Sequence, residues 1–213
     1  EMYEEFKIPF WFNTRPENCK VDYLNALKKV GAYRISFGIE CGNPDFRQKV
    51  LLRKPSNQEI IDSFKVIHAS GIAFSANLII GFPGETEKDF EATVKLMEDI
   101  GFDYSFSFLY SPRPGTPAAF IADDTPHQTK LDRLARLQAI NTTQGEAISR
   151  AMLGSTQRLM VEGISKKNPE EMVGKTDNNR IVTIAKNEAL TGHFVNVKIT
   201  NTDNPRRLQG ELV

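Results

Sequence analysis

The residues whose types and spacing point most directly to chemistry run from Ser75 to Thr86, Ser-Ala-Asn-Leu-Ile-Ile-Gly-Phe-Pro-Gly-Glu-Thr. Leu78, Ile79 and Ile80 form a continuous apolar run, as in a strand covered on both faces. The run stops at Gly81, and Gly81 and Gly84 bracket Pro83, so the chain turns sharply. Glycine here allows close backbone approach to a ligand or a neighbouring strand. Thr86, followed by Asp89, fits a capping box for a helix over 87–101. A strand's C-terminal end then lies beside a helix N-terminus, where α/β barrels and open α/β sheets keep their ligand sites. An ordinary βα loop with good turn chemistry would use the same residues.

Other reactive side chains are sparse. Cys19 and Cys41 are far apart and form no CxxC pair, so they read as free thiols in a cytoplasmic protein. Neither cysteine makes a metal site by spacing, alone or with His68, His127 and His193, which read as structural. The run Ser-Pro-Arg-Pro-Gly-Thr-Pro at 111–117 sets Arg113 among three prolines and is too proline-rich for helix or strand. Lys166, Lys167, Lys175, Arg180, Lys198, Arg206 and Arg207 are candidates for phosphate contacts, or are solvated surface charges. Asn178 and Asn179 can hydrogen-bond a ligand or simply tolerate a left-handed turn.

The elements that must position these groups alternate. Strands are predicted at Ile8–Phe12, Tyr33–Glu40, Phe74–Ile80 and Asp103–Tyr110. Helices are predicted at Val21–Val30, about Asp45–Leu52, Asn57–Ser70 and Glu87–Gly101. In the last strand Tyr104, Phe106 and Phe108 share one side, and Ser105, Ser107 and Leu109 the other. A β-α-β-α-β-α-β rhythm means parallel strands with helical crossovers, here half a barrel or an open curved sheet. A long helix from Gln128 to about Leu153 follows. Beyond Thr156 the segments shorten, with strands at 157–162, 180–184, 194–200 and 208–212. Loops are expected at 175–179 and 201–205, giving a small antiparallel barrel or sandwich. The expected domains are 1–153 and 154–213.

The 213 residues suit one or two domains, and the composition is that of a globular protein. Net charge is zero, so whole-chain electrostatics singles out no partner. Residues 153–213 hold nine Lys/Arg against seven Asp/Glu, too small an excess to establish nucleic-acid binding. No apolar run approaches a membrane span, and no signal peptide is evident. Because a strand-like run follows so soon after Glu1, the natural protein is expected to begin earlier.

The stretch GFPGETEKDFEATVKLMEDIGFDYSFSFLYSPRPGTPAA resembles the radical SAM tRNA methylthiotransferases of the MiaB type. The tail runs VEGISKKNPEEMVGKTDNNRIV and GHFVNVKIT…LQGELV look like the TRAM domain of those enzymes. Together these cover about Asn77 to Val213. The first 75 residues look more like the cobalamin-binding branch of radical SAM enzymes, with Glu40-Cys41-Gly42-Asn43 where the methylthiotransferases usually carry Gln-Ser-Gly-Ser. The resemblance implies a partial TIM-type barrel followed by a TRAM-like β barrel. It implies S-adenosylmethionine and [4Fe–4S] clusters as cofactors, tRNA as partner, and replacement of a C–H of a modified adenosine by a methylthio group. A cytoplasmic monomer is expected.

The same resemblance places Glu40 toward the methionine or ribose moiety of the cofactor, where a carboxylate can accept from an ammonium or hydroxyl. It sets Arg53 on the cofactor's carboxylate. The other reading makes Arg53 part of a basic surface helix with Arg47, Lys49 and Lys54. Asn77 would face the ribose, while Gly81, Phe82 and Pro83 would shape the adenine pocket. Tyr110 and Arg113 match the family's Tyr-Ser-x-Arg-Pro-Gly-Thr and would orient a tRNA phosphate or the substrate base. The geometric expectation is that Asn77 and Glu40 point into one hollow wide enough for a nucleoside. The CxxxCxxC loop that holds the radical SAM cluster is absent from this sequence. The segment is therefore expected to be the carboxy-terminal part of such an enzyme, inactive alone. The alternatives are an RNA-binding module on an inert α/β platform, or part of a cobalamin-dependent enzyme.

Overall fold

The computed structural model describes residues 5, 6, 8–123 and 125–213. The chain divides into two compact units, 1–142 and 143–213. In the first, strands β1 (Phe10–Thr14), β2 (Ala32–Glu40), β3 (Ala73–Ile80) and β4 (Ser105–Leu109) form one parallel sheet in the order 1-2-3-4. The helices are α1 (Val21–Lys29), α2 (Pro44–Lys49), α3 (Asn57–Ser70), α4 (Glu87–Ile100) and α5 (His127–Ala151). This is the half-barrel that the alternating rhythm predicts. The unit boundary falls inside α5.

Local signals fix the helix ends. Ser56 and Thr86 each make a full capping box, with Glu59 and Asp89 respectively. Gly71 and Gly101 close the same two helices in the left-handed conformation, at φ 68° in each. The short helix after Cys41 ends at Lys49, earlier than its sequence suggests. Leu52 takes φ 53°, and the Arg53 N–H donates to the Arg47 carbonyl at 2.9 Å, so the chain curls back.

The apolar core lies against one face of the sheet. Ile35, Phe37 and Ile39 of β2 and Ala76, Leu78 and Ile80 of β3 meet Leu24, Ile60, Phe64, Ile67, Phe90, Met97 and Leu137 from the helices. The Phe37 and Phe102 rings both pack edge-on against Phe64, at 5.4 and 5.2 Å. Each such buried ring contributes roughly 2–3 kcal/mol of transfer free energy. The opposite face carries Arg34, Ser36, Gly38, Ser75 and Asn77, with Trp11 and Asn13 in register on β1. β3 is therefore not covered by apolar packing on both faces. Its apolar run continues through Ile79, which is half-buried on the open face beside Phe108. On β4, Leu109 packs into the core and Ser105 Oγ donates to Asn141 Oδ1 at 2.9 Å. The aromatic side of that strand is the open one.

In the second unit β5 (Thr156–Ile164), β6 (Glu171–Thr176), β7 (Ile181–Ala185), β8 (Phe194–Asn201) and β9 (Leu208–Leu212) close into a barrel of order 5-6-7-9-8. Alternate residues such as Leu159, Val161, Met172, Val182, Val197 and Leu208 fill it. The barrel is mixed, not purely antiparallel, because β7 and β9 pair in parallel. β6 was missed in the sequence because Glu171, Gly174 and Lys175 interrupt its apolar alternation. Lys175 and Thr176 accordingly belong to a strand, not a loop. Gly174 is required by close approach: a Cβ there would overlap the Met160 carbonyl oxygen of the neighbouring strand.

Candidate functional site

A polar hollow of about 470 Å³ opens on the uncovered face of the four-stranded sheet. Ser36, Gly38 and Glu40 of β2 and Asn77 of β3 form its floor. Asn13 and Thr14 of β1, Arg15, Asn18 and Arg53 form its sides. Sheet register explains the grouping. Asn13 pairs with Ser36, Ser36 with Ser75, and Gly38 with Asn77, and paired residues of parallel strands share a face. Ser36 knits the floor, accepting from Trp11 Nε1 at 3.1 Å and sharing a hydroxyl–hydroxyl bond of 2.9 Å with Ser75.

Glu40 reaches the hollow through a bulge. The β2–β3 register slips between Gly38 and Glu40, and Glu40 takes φ 70°, a strained value for a non-glycine residue. Arg53 Nη2 lies 3.2 Å from Glu40 Oε1, with both side chains largely buried. Burial raises the Glu40 carboxyl above its ordinary value, and Arg53 opposes that rise. Glu40, Arg53 and Asn77 thus converge on one space, an array of acceptor, donor and amide suited to a small polar molecule.

Gly81, Phe82 and Pro83 are not among the residues lining this hollow. Phe82 instead sits between Tyr110, at 4.7 Å, and Phe46, at 6.1 Å. Gly81 needs its φ of 71°, and a Cβ there would overlap the Lys130 side chain. Its N–H donates to Glu85 Oε2. The Tyr110 hydroxyl is buried without a hydrogen-bond partner among the described residues. Arg113 is exposed, on a turn closed by the Thr116 N–H donating to its carbonyl at 3.2 Å. Pro114 and Gly115, the latter at φ 81°, suit the two central positions of that turn.

Sequence reasoning missed several of the residues that build this region. Asn13, Arg15, Asn18 and Ser36 line the hollow, and only their register reveals it. Arg47 is not part of a basic surface helix: it is 1% exposed and donates to the carbonyls of Cys41 and Pro55, both at 2.6 Å, and to Asn57 Oδ1 at 2.8 Å. Glu85 is also buried, and Arg133 approaches it at 3.8 Å. The i,i+4 pairing of Gly81 with Glu85 gives no periodic signal.

On the barrel, the candidate cations differ in how free they are. Lys166, Lys167 and Lys198 are exposed. Lys175 pairs with Glu162 at 3.4 Å, and Arg206 with Glu146 at 3.3 Å. Arg180 donates to Ser149 Oγ at 2.7 Å and to the Gly145 carbonyl at 3.0 Å, and is held in place by those contacts. Arg207 bonds Ser165 Oγ at 2.5 Å, which brings the 206–207 and 165–167 loops together at one corner. Asn179 takes a left-handed φ of 63°, and Asn178 accepts from Thr176 Oγ1 at 2.6 Å. Arg158, unremarked in the sequence, lies 4.3 Å over the exposed Phe194 ring.

The two cysteines are buried and free. Burial, with Glu17 nearby, pushes the Cys19 thiol up to about 11, and burial also raises Cys41. Among the described residues no group of three or more His, Cys, Asp or Glu side chains can hold a metal ion. No described helix is long and apolar enough to cross a membrane.

Residues 2–97, which hold the first three strands of the parallel sheet, match the Radical SAM superfamily, and residues 150–213, which hold the closed β barrel, match the TRAM domain. The fold is also that of coproporphyrinogen III oxidase (HemN) from Escherichia coli, a radical SAM enzyme. The TM-score is 0.56 at 17% identity, covering 90% of this chain and 46% of that one. More particularly, the chain is similar to tRNA-2-methylthio-N(6)-dimethylallyladenosine synthases. The Methylobacillus flagellatus protein is 49% identical over 170 residues, 78% of this chain and 38% of its own length. The Cellvibrio japonicus protein is 44% identical over 203 residues, 95% of this chain and 42% of its own. This chain therefore spans about two fifths of such relatives. An alignment over 95% of the chain also takes in most of the residues before Asn77, so the likeness to the methylthiotransferases extends further than the sequence motifs indicated.

Proposed function

We propose that this chain is the S-adenosylmethionine- and RNA-binding portion of an enzyme that methylthiolates a dimethylallyladenosine of tRNA. The observation that carries the reading is the 95% coverage by a synthase of that name, over a fold whose open face gathers Glu40, Arg53 and Asn77 round one hollow. Residues 1–153 act as a partial radical SAM barrel that binds the cofactor, with no catalytic residue of their own, and 154–213 act as the RNA-binding β domain of a cytoplasmic monomer.

The hollow suits S-adenosylmethionine, which supplies the sulfonium chemistry of the superfamily when bound. Its size is in the range of small-molecule sites. Gly38 keeps the floor flat, because a Cβ there would overlap Glu40 Oε1. Glu40 accepts from an ammonium or hydroxyl, Arg53 neutralises a carboxylate, and Asn77 donates and accepts at the ribose. Gly81, Phe82 and Pro83 support the adenine end from the neighbouring loop. Tyr110 and Arg113 face the substrate, and Lys166, Lys167, Lys175, Arg180, Arg206 and Arg207 serve the tRNA backbone.

An iron–sulfur cluster does not fit these residues, since the only two cysteines are buried and separate. Cluster ligands therefore come from outside these 213 residues, and this chain is inactive alone.

Joining the chain to a CxxxCxxC-bearing amino-terminal part should yield methylthiolated adenosine in tRNA. Unmodified tRNA, with the clusters intact, would count against the reading. In that joined protein, Gly38→Ala is expected to leave thermal unfolding nearly unchanged, because the new methyl meets the far end of a flexible side chain. S-adenosylmethionine affinity should fall about tenfold as the Glu40–Arg53 pair is displaced. Equal affinity by calorimetry would remove Glu40 from the site.

The absence of cluster cysteines favours a second reading, an RNA-binding module on an inert α/β platform. Both readings require tRNA binding that weakens with salt. Activity of the joined protein separates them.

A further inference from the structure

Three aromatic side chains stand in a row on the open face of β4. Tyr104 is 49% exposed and Phe108 53% exposed, with the half-buried Phe106 between them. The Tyr104 and Phe106 rings meet edge to face at 4.8 Å. Those of Phe106 and Phe108 are nearly parallel, 13° apart in plane and 6.1 Å between centres. β4 is an edge strand, and an apolar stripe on an exposed edge invites unwanted pairing, so its presence needs a reason.

Register connects the stripe to the polar hollow. Phe106 pairs with Asn77, whose side chain lines the hollow, and Phe108 pairs with Ile79. A ligand lying along β4 would therefore rest on ring faces, touch an apolar wall at Ile79, and reach an amide at Asn77. The aliphatic neighbour, Ile79, lies beside Phe108 and the amide, Asn77, beside Phe106, so an apolar and a polar group flank opposite ends of the ring pair. A purine base stacks on aromatic side chains whatever its edge pattern. An aliphatic substituent on the base adds apolar area to bury beside it, and the ribose carries the hydroxyls an amide can bond.

We infer that Phe106, Phe108 and Ile79 form the seat for an N6-alkylated purine nucleoside, with Asn77 at its polar end. The choice of an alkylated purine rests on the proposed function, since the similar synthases are named for a dimethylallyladenosine. The surface itself is a property of this chain.

The test uses free nucleosides, so that it does not depend on the β barrel. N6-dimethylallyladenosine and adenosine are titrated into the chain and followed by saturation-transfer NMR. The alkylated nucleoside is expected to bind about tenfold more tightly, and Phe108→Ala to abolish that preference. Phe106→Leu, which keeps an apolar side chain but loses the stacking plane, should weaken both nucleosides. Unfolding profiles of both variants should match the parent, because the rings are largely outside the core. Equal binding of the two nucleosides would overturn the inference, as would a preference that survives Phe108→Ala. Self-association that Phe108→Ala abolishes, without nucleoside binding, would also overturn it and make the stripe a contact between copies. If the nucleosides fail to bind while tRNA binds with salt sensitivity, only this inference fails. If neither binds, the proposed function fails with it.

Discussion

Replacing Arg47 with methionine is expected to lower the stability of the α/β unit by roughly 3 kcal/mol. The side chain is 1% exposed and supplies three hydrogen bonds, to the carbonyls of Cys41 and Pro55 and to Asn57 Oδ1. Those acceptors run from just after β2 to the first residue of α3, so the guanidinium ties the strand end carrying Glu40 to the loop carrying Arg53. Methionine has similar length and fills much of the space, so the cavity contribution is small. The loss comes from acceptors left without a donor, and bonds to a charged donor are each worth about 1.5–3 kcal/mol. Burial lowers the Arg47 pKa, which marks an opposing desolvation cost and keeps the net below the sum of the three bonds. Urea unfolding measures the total, and hydrogen exchange across 41–57 should show selective loss of protection. A change under about 1 kcal/mol would mean that water replaces the guanidinium at little cost. It would also mean that Arg47 does not hold the Glu40–Arg53 pair together.

The second large effect is a pH dependence centred on Glu85. This residue is 3% exposed, Oε2 accepts from the Gly81 N–H, and Oε1 is buried without a partner among the described residues. Burial pushes its carboxyl from 4.5 up to about 7, against the opposing effects of the Gly81 N–H and Arg133. Between those two values the folded state holds a proton that the unfolded state has released. Stability from Glu85 is therefore fully present below about 4.5 and is lost as pH rises through about 7. Glu85→Gln keeps an oxygen for the Gly81 N–H and cannot ionise. The stability of the parent relative to this variant should fall by roughly 3 kcal/mol from pH 4.5 to pH 8. Urea midpoints across that range give the difference curve directly. Parallel curves would show that Arg133 and the loop amide keep Glu85 ionised throughout. The effect bears on function because the Gly81 turn, packed on Lys130, carries Phe82 against Tyr110.

Much of the fold was legible in the chain because the signals are local. The helix over 87–100 announces itself by Thr86 before it, Asp89 in its first turn and Gly101 after it, and each is satisfied within a few residues. The β2 alternation of Ile35, Phe37 and Ile39 against Ser36 and Gly38 fixes which face is buried, because side-chain direction in a strand has period two. Four strands separated by helices leave parallel pairing as the available arrangement.

Other features depend on residues far apart in sequence. Nothing in Tyr104-Ser-Phe-Ser-Phe-Leu says which side faces the helices, and the more apolar side proved to be the open one. Leu109 goes inward because β4 pairs with β3 so that Leu109 lies beside Ile80 in the core. β6 escaped notice because its glycine answers a clash with Met160 on another strand. Arg47 looks like a surface cation in one dimension and is buried because three acceptors from a folded-back loop surround it. The sequence by itself determined the elements, their ends and the parallel order, since those rest on periodicity and capping within a turn or two. The tertiary structure alone decided that Glu40, Arg53 and Asn77 share one hollow and that Arg47 and Glu85 lie inside. Those outcomes are set by register and burial, which exist only once distant segments have packed.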